Sequence, residues 1–107
     1  MLISIHQNTF SDPRYSGAQV FYGPSGDSQK LAHTLQQALV ANLNPESNRR
    51  AKKGSGLYLL DKIKKTGVLL ECGFLSNPEE EAKLRSNTYQ LKLCCVIASV
   101  LCNDLSN

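Results

Sequence analysis

Nothing in the 107-residue sequence approaches the roughly 18 to 20 consecutive apolar residues that a bilayer-spanning helix requires. No basic-then-apolar leader opens the chain either. Cys72, Cys94, Cys95 and Cys102 form neither a Cys-x-x-Cys pair nor a zinc-finger spacing with histidine. Three of them crowd an apolar C-terminal segment, so they are expected to be buried thiols. Histidine itself is scarce, with only His6 and His33. A formal charge of +3 is too small to imply a nucleic-acid partner. The basic stretches Arg49 to Lys53 and Lys62 to Lys65 have Tyr58 as their one nearby aromatic, not the stacking array of single-strand binders. No repeat is visible. The hydrophobic share of 41%, with seven glycines, is that of one ordinary globular domain and excludes a disordered or collagen-like chain.

What is present alternates between strands and amphipathic helices. Leu2 to Ile5 contains the β-branched Ile3 and Ile5 and has no preceding turn, so the chain is expected to start inside a strand. A turn-rich stretch with Pro13 and Gly17 follows, then a second strand from Ala18 to Tyr22 stopped by Gly23-Pro24. Ser25 to Ser28 supply caps for a helix running to about Leu43, where Asn44-Pro45 ends it. Leu31, Leu35, Leu39 and Leu43 make its apolar stripe, and His33 points away from that stripe. Residues 45 to 56 read as a polar, basic loop, and Leu57 to Leu60 as a short strand or turn element. Val68-Leu69-Leu70 has the continuous apolar character of a strand buried on both faces. Asn77-Pro78, followed by Glu79, Glu80 and Glu81, starts a helix, and a last helix runs from about Thr88 to Leu105. The predicted order is β-β-α-β-β-α-α. It describes an α/β sandwich with fewer strands than its helices could cover.

Two strand ends carry chemistry. Ile3-Ser4-Ile5 delivers His6, and Val68-Leu69-Leu70 delivers Glu71, to what can be one carboxyl edge, where open α/β sheets place their ligands. A carboxylate directly after a buried run is costly unless it is paired or faces a site. Imidazole is a natural zinc ligand and a carboxylate a natural general base. A hydrogen-bonded edge histidine and an unrelated salt-bridged glutamate would use the same residues.

The segments Ile3-Ser4-Ile5-His6-Gln7-Asn8 and Leu70-Glu71-Cys72-Gly73-Phe74-Leu75-Ser76-Asn77-Pro78-Glu79-Glu80 resemble those of the zinc-dependent N-acetylmuramoyl-L-alanine amidases, the Amidase_3 family. Arg50 to Leu60 resembles the linking stretch of that family, so the likeness covers essentially the whole chain. The resemblance implies a three-layer α/β sandwich around a mostly parallel or mixed sheet. It further implies hydrolysis of the amide between N-acetylmuramic acid and L-alanine in peptidoglycan, outside the membrane, in cell-wall or spore-cortex remodelling. His6 would be a zinc ligand, Glu71 the catalytic carboxylate, and Asn8, Arg50 and Lys53 substrate-binding residues. The basic loop permits a one-residue slip at the last two.

One departure matters. The family's first zinc histidine sits in a DPGHGG-like turn, and Asp12-Pro13-Arg14 lacks the Gly-His of that turn. Residues 1–107 are therefore expected to be the C-terminal portion of one amidase catalytic domain, without its first strands and with two of three zinc ligands elsewhere. A non-catalytic piece that binds peptidoglycan or a partner is the alternative reading. Self-association through an uncovered sheet edge is also expected.

Overall fold

The structure is a computed structural model that describes residues 1–106. Eight elements follow one another: β1 (Leu2–Asn8), β2 (Gln19–Tyr22), α1 (Ser28–Leu43), β3 (Lys52–Lys53), α2 (Tyr58–Lys62), β4 (Gly67–Phe74), α3 (Pro78–Arg85) and α4 (Asn87–Ser106). The strands form one sheet in the order β1-β4-β2-β3. β1 is parallel to β4, β2 is antiparallel to β4, and β3 is parallel to β2. The expected mixed α/β sheet is thus present, with β4 inside it and β1 along one edge.

The apolar run of β4 is explained by its central place. Val68 and Leu70 are fully buried and Cys72 nearly so, and they meet Val20 of β2 and Leu31, Leu35 and Leu39 of α1 in one core. Leu84 of α3 and Leu93, Ile97 and Val100 of α4 close that core. The leucine stripe read at intervals of four is therefore the buried face of α1, and His33 lies exposed on the other side. The second face of the sheet is covered at two places: Tyr15 and Arg49 pack on the buried Phe74 at one, and the residues after β3 cover the other. There Leu60 and Ile63 lie against Gly67, where an added Cβ would come within 3.0 Å of the Ile63 side chain. The third layer of the sandwich consists here of α2 and these packed side chains, and the face is open around His6 and the half-buried Glu71.

The outer edge of β2 is finished by a side chain. Gln36 Oε1 accepts from the backbone N–H of Val20 at 2.8 Å, and Gln36 Nε2 donates to the carbonyl of Ala18 at 2.9 Å. One amide thus occupies two ladder positions that the two-residue β3 does not reach. Each satisfied group would otherwise be a buried orphan.

Two expectations are corrected. Leu57 to Leu60 belongs to a helical turn, not a strand: only Leu60 is buried, whereas Tyr58 and Leu59 are 74% and 59% exposed, so the burial does not alternate. The strand of this region lies earlier, at Lys52–Lys53. Of the cysteines only Cys72 is buried; Cys94, Cys95 and Cys102 are exposed, because the core-facing stripe of α4 runs through Leu93, Ile97 and Val100 and the cysteines flank it. Burial pushes the Cys72 thiol up to about 11. At pH 8 its thiolate is scarce, and thiolate is the reactive form. Iodoacetamide is accordingly expected to label Cys94 and Cys95 in the native chain well before Cys72, with the difference erased in denaturant. Peptide mass mapping reads this directly, and equal native rates would contradict the burial.

Candidate active site

β1 and β4 run side by side, and their register brings the two chemistry-bearing residues together. His6 is the direct partner of Glu71. Partners across a parallel pair point to the same side of the sheet, so both side chains stand on the open face. The strands extend further than the sequence suggests: neither residue is at a strand end, and the pairing continues to Asn8 with Phe74. Between these pairs β4 has one residue more than β1, a bulge at Cys72-Gly73. Its consequence is geometric. The extra residue returns Phe74 to the face that Glu71 occupies, whereas a regular strand would turn it toward α3 and α4. Gly73 faces α3 instead, where an added Cβ would lie 3.0 Å from Glu80 Oε1. His6, Asn8, Glu71 and Phe74 consequently share one surface.

Glu71 is half-buried, and its Oε2 is a buried oxygen without a hydrogen-bond partner among the described residues. Burial raises the Glu71 carboxyl above the ordinary glutamate range, and the neighbouring His6 opposes that shift. A buried carboxylate oxygen left without a partner costs stability unless something outside the chain satisfies it. His6 is exposed, and its Nε2 lies 2.8 Å from Ser4 Oγ. When Nε2–H donates to that hydroxyl, Nδ1 keeps its lone pair for a ligand.

Asn8 is half-buried, and its Oδ1 accepts from the Thr9 N–H at 2.8 Å. Its carbonyl also accepts from Leu75 at 2.7 Å, tying the end of β1 to the segment after β4. Arg50 is exposed at the lip of a groove of about 560 Å³ beside the open face. Lys53 pairs with Tyr22, whose ring lies 6.1 Å from His33 of α1, so Lys53 falls on the helix-covered side, away from Glu71. Two residues not singled out in the sequence stand on the open side instead. Lys52 pairs with Phe21, on the same face as Glu71. Arg49 places its guanidinium 5.0 Å over the Phe74 ring and donates to Ser16 O at 2.8 Å and to Gln19 Oε1 at 3.4 Å.

A further residue of the site's frame is Glu80, which is 6% exposed. Its Oε1 accepts from the N–H of Gly17 and from that of Phe74, both at 2.9 Å. Asn77, the N-cap of α3, accepts from Glu80 N at 3.1 Å. The Asn77-Pro78-Glu79-Glu80 stretch thus caps a helix and clamps the end of β4. The run of three glutamates hides this, because only one of them is buried.

The open face holds only part of a zinc site. His6 offers one imidazole nitrogen and Glu71 one carboxylate, and among the described residues no group of three or more His, Cys, Asp or Glu could hold a metal ion. A catalytic zinc takes three protein ligands. The described residues alone do not make that set.

A family model described as N-acetylmuramoyl-L-alanine amidase, Amidase_3, matches residues 1–103. The chain belongs to this family. The germination-specific N-acetylmuramoyl-L-alanine amidase of Bacillus subtilis is 41% identical over 98 residues, which are 91% of this chain and 41% of that protein. Among solved structures, the CwlD amidase of Clostridioides difficile, determined in complex with the GerS lipoprotein, superposes with a TM-score of 0.90 at 38% identity and covers 97% of this chain and 53% of its own. An N-acetylmuramoyl-L-alanine amidase from Clostridium difficile 630 superposes with a TM-score of 0.86 at 28% identity, over 99% of this chain and 57% of that one. The chain therefore spans about half the length of the Amidase_3 relatives it matches. No helix among the described residues is long and apolar enough to cross a membrane.

Proposed function

We propose that this chain is a portion of an amidase catalytic domain that cleaves the bond between N-acetylmuramic acid and L-alanine in peptidoglycan, outside the membrane, in wall or spore-cortex remodelling. The observation that carries the proposal is the unpartnered Glu71 Oε2 beside His6 on the open face. In this reading Glu71 is the general base. Its oxygen takes a proton from water attacking the amide carbonyl, and the same carboxyl returns that proton to the leaving alanine nitrogen. The raised carboxyl suits both roles, since a group that holds its proton more readily also delivers it as the nitrogen departs. Asn8 lines the same surface, and Arg50 stands at the edge of the adjoining groove.

His6 would hold a zinc ion together with ligands from outside the described residues, with Ser4 fixing its tautomer. Zinc, when bound, supplies a Lewis acid for the amide carbonyl. His6→Ala is expected to lower the zinc content of the amidase carrying this chain, measured by elemental analysis, with the fold unchanged by circular dichroism. Unchanged zinc stoichiometry would remove His6 from this role.

The shortfall of metal donors favours a second reading for the 107 residues taken alone: a module that binds peptidoglycan without hydrolysing it. In that case the chain sediments with purified sacculi while their turbidity stays constant. Clearing of the sacculi by the chain itself would instead establish a complete site. Among the described residues no strand pairs with the outer edge of β1, and Ile5 on it is 58% exposed, which supports self-association along that edge.

A further inference from the structure

From the residues beside Glu71 we infer a subsite for a peptide carboxylate, one that also sets the direction in which the substrate lies. The inference rests on the proposed amidase reading. Moving from β1 across the open face, one meets His6, then Glu71, then Gln19 of β2, the register partner of Glu71 on its other side. Beyond Gln19 the surface rises into the segment before β3, and the groove of about 560 Å³ begins there. Arg49, Arg50 and Lys52 line it, against a single carboxylate, Glu46.

None of these cations forms an ion pair with a carboxylate among the described residues. The ion pairs among the described residues are Arg14 with Asp12 and Arg85 with Glu81, both elsewhere. Arg49 contacts Ser16 O, Gln19 Oε1 and the Phe74 ring, through Nε and one of its two terminal nitrogens. The buried Gln19 orders the wall from below, because its Nε2 donates to the Arg50 carbonyl at 2.6 Å. The backbone carrying the charges is thus fixed, and Arg50 and Lys52 remain exposed. A preorganised groove with three cations and one anion is suited to an anionic ligand.

The chemistry of the substrate identifies the anion. Once the lactyl carboxyl of muramic acid is tied up in the amide, the sugar side carries no charge, and the carboxylates are all on the peptide. The peptide therefore lies over β2 toward Lys52, and the sugar lies on the His6 side. Strands are about 4.8 Å apart, so the wall lies on the order of 10 Å from Glu71. An extended peptide advances about 3.5 Å per residue. The carboxylate that is read is then on the second or third residue beyond the scissile bond, not on the alanine.

The test is a 15N-HSQC titration of the full chain with N-acetylmuramoyl-L-alanyl-glutamate and with the same compound carrying both carboxyls as amides. The acid is expected to bind about tenfold more tightly than the amide, as for one or two charge-assisted hydrogen bonds. It should shift the backbone signals of Ser47, Arg49 and Lys52, and lose affinity as salt rises. Arg50→Gln with Lys52→Gln removes the preference, whereas Lys30→Gln with Lys92→Gln, an equal charge loss at exposed positions of α1 and α4, keeps it. Both altered side chains are exposed, and an otherwise unchanged spectrum verifies the fold. If acid and amide bind equally and both shift His6 and Glu71, the subsite is overturned and the amidase reading survives. A preference that persists in the double variant also overturns the subsite. If neither compound shifts His6 or Glu71, the amidase reading falls, and the subsite with it.

Discussion

Glu71→Gln is expected to lower amide hydrolysis by the amidase carrying this chain by about 10²–10⁴-fold, the usual contribution of a positioned general acid–base group. The same change is expected to make the protein more stable. Glutamine keeps the shape of the side chain but removes a charge that sits half-buried with one oxygen unsatisfied. Relief of that desolvation is worth on the order of 1 kcal/mol. In an amidase domain about twice this length, as in the relatives, it raises the thermal midpoint by about 2–4 °C. The opposite signs are what separate a catalytic carboxylate from a structural one, because removing a structural ion-pair partner lowers both quantities. Release of soluble muropeptides and differential scanning calorimetry on the same variant decide it. A variant that melts below the parent, or that hydrolyses at the parent rate, shows that Glu71 was serving the fold.

The second large effect is purely structural. Glu80→Ala removes the one acceptor shared by the N–H groups of Gly17 and Phe74 and leaves both buried without a partner. Each orphaned donor costs about 1–3 kcal/mol, so the sum is expected near 3–5 kcal/mol, a large share of the stability of a domain this small. Glu80→Gln retains an oxygen acceptor and is expected to lose less, since a neutral acceptor makes weaker bonds than a charged one. Chemical denaturation gives both values. An alanine variant within 1 kcal/mol of the parent would mean that water reaches these groups. The clamp matters to the site as well: Phe74 is the platform under Arg49, and Gly17 begins the approach to Gln19. Loosening them should scatter the basic wall before the core itself melts.

The residues that carry the chemistry were legible because apolar strands announce themselves. Ile3 to Ile5 and Val68 to Leu70 could be read as strands, and the polar residues directly after them, His6 and Glu71, stood out as costly there unless used. The face of the basic segment was not legible. Arg49-Arg50 and Lys52-Lys53 are pairs of like residues, and a slip of one position exchanges the two faces of a strand. The resemblance favoured Arg50 and Lys53, whereas the sheet puts Lys53 on the α1 side and Lys52 toward Glu71. Glu80 was hidden for a related reason. Three consecutive glutamates at a helix start all satisfy the same local rule, and only the return of Gly17 against β4 distinguishes one of them. Leu57 to Leu60 misled because four residues are too few for periodicity to separate a strand from a helical turn.

By itself, then, the order of residues determined the α/β class, the leucine face of α1, the cap at Asn77-Pro78 and the identities of the acid and the imidazole, since each depends on neighbours within a few positions. Tertiary structure alone decided that His6 and Glu71 are partners, that a bulge returns Phe74 to their face, and that Arg49 and Lys52 stand beside them. Those facts rest on registers between strands about 30 to 65 residues apart, and on one extra residue in a ladder. Local propensity carries no record of either.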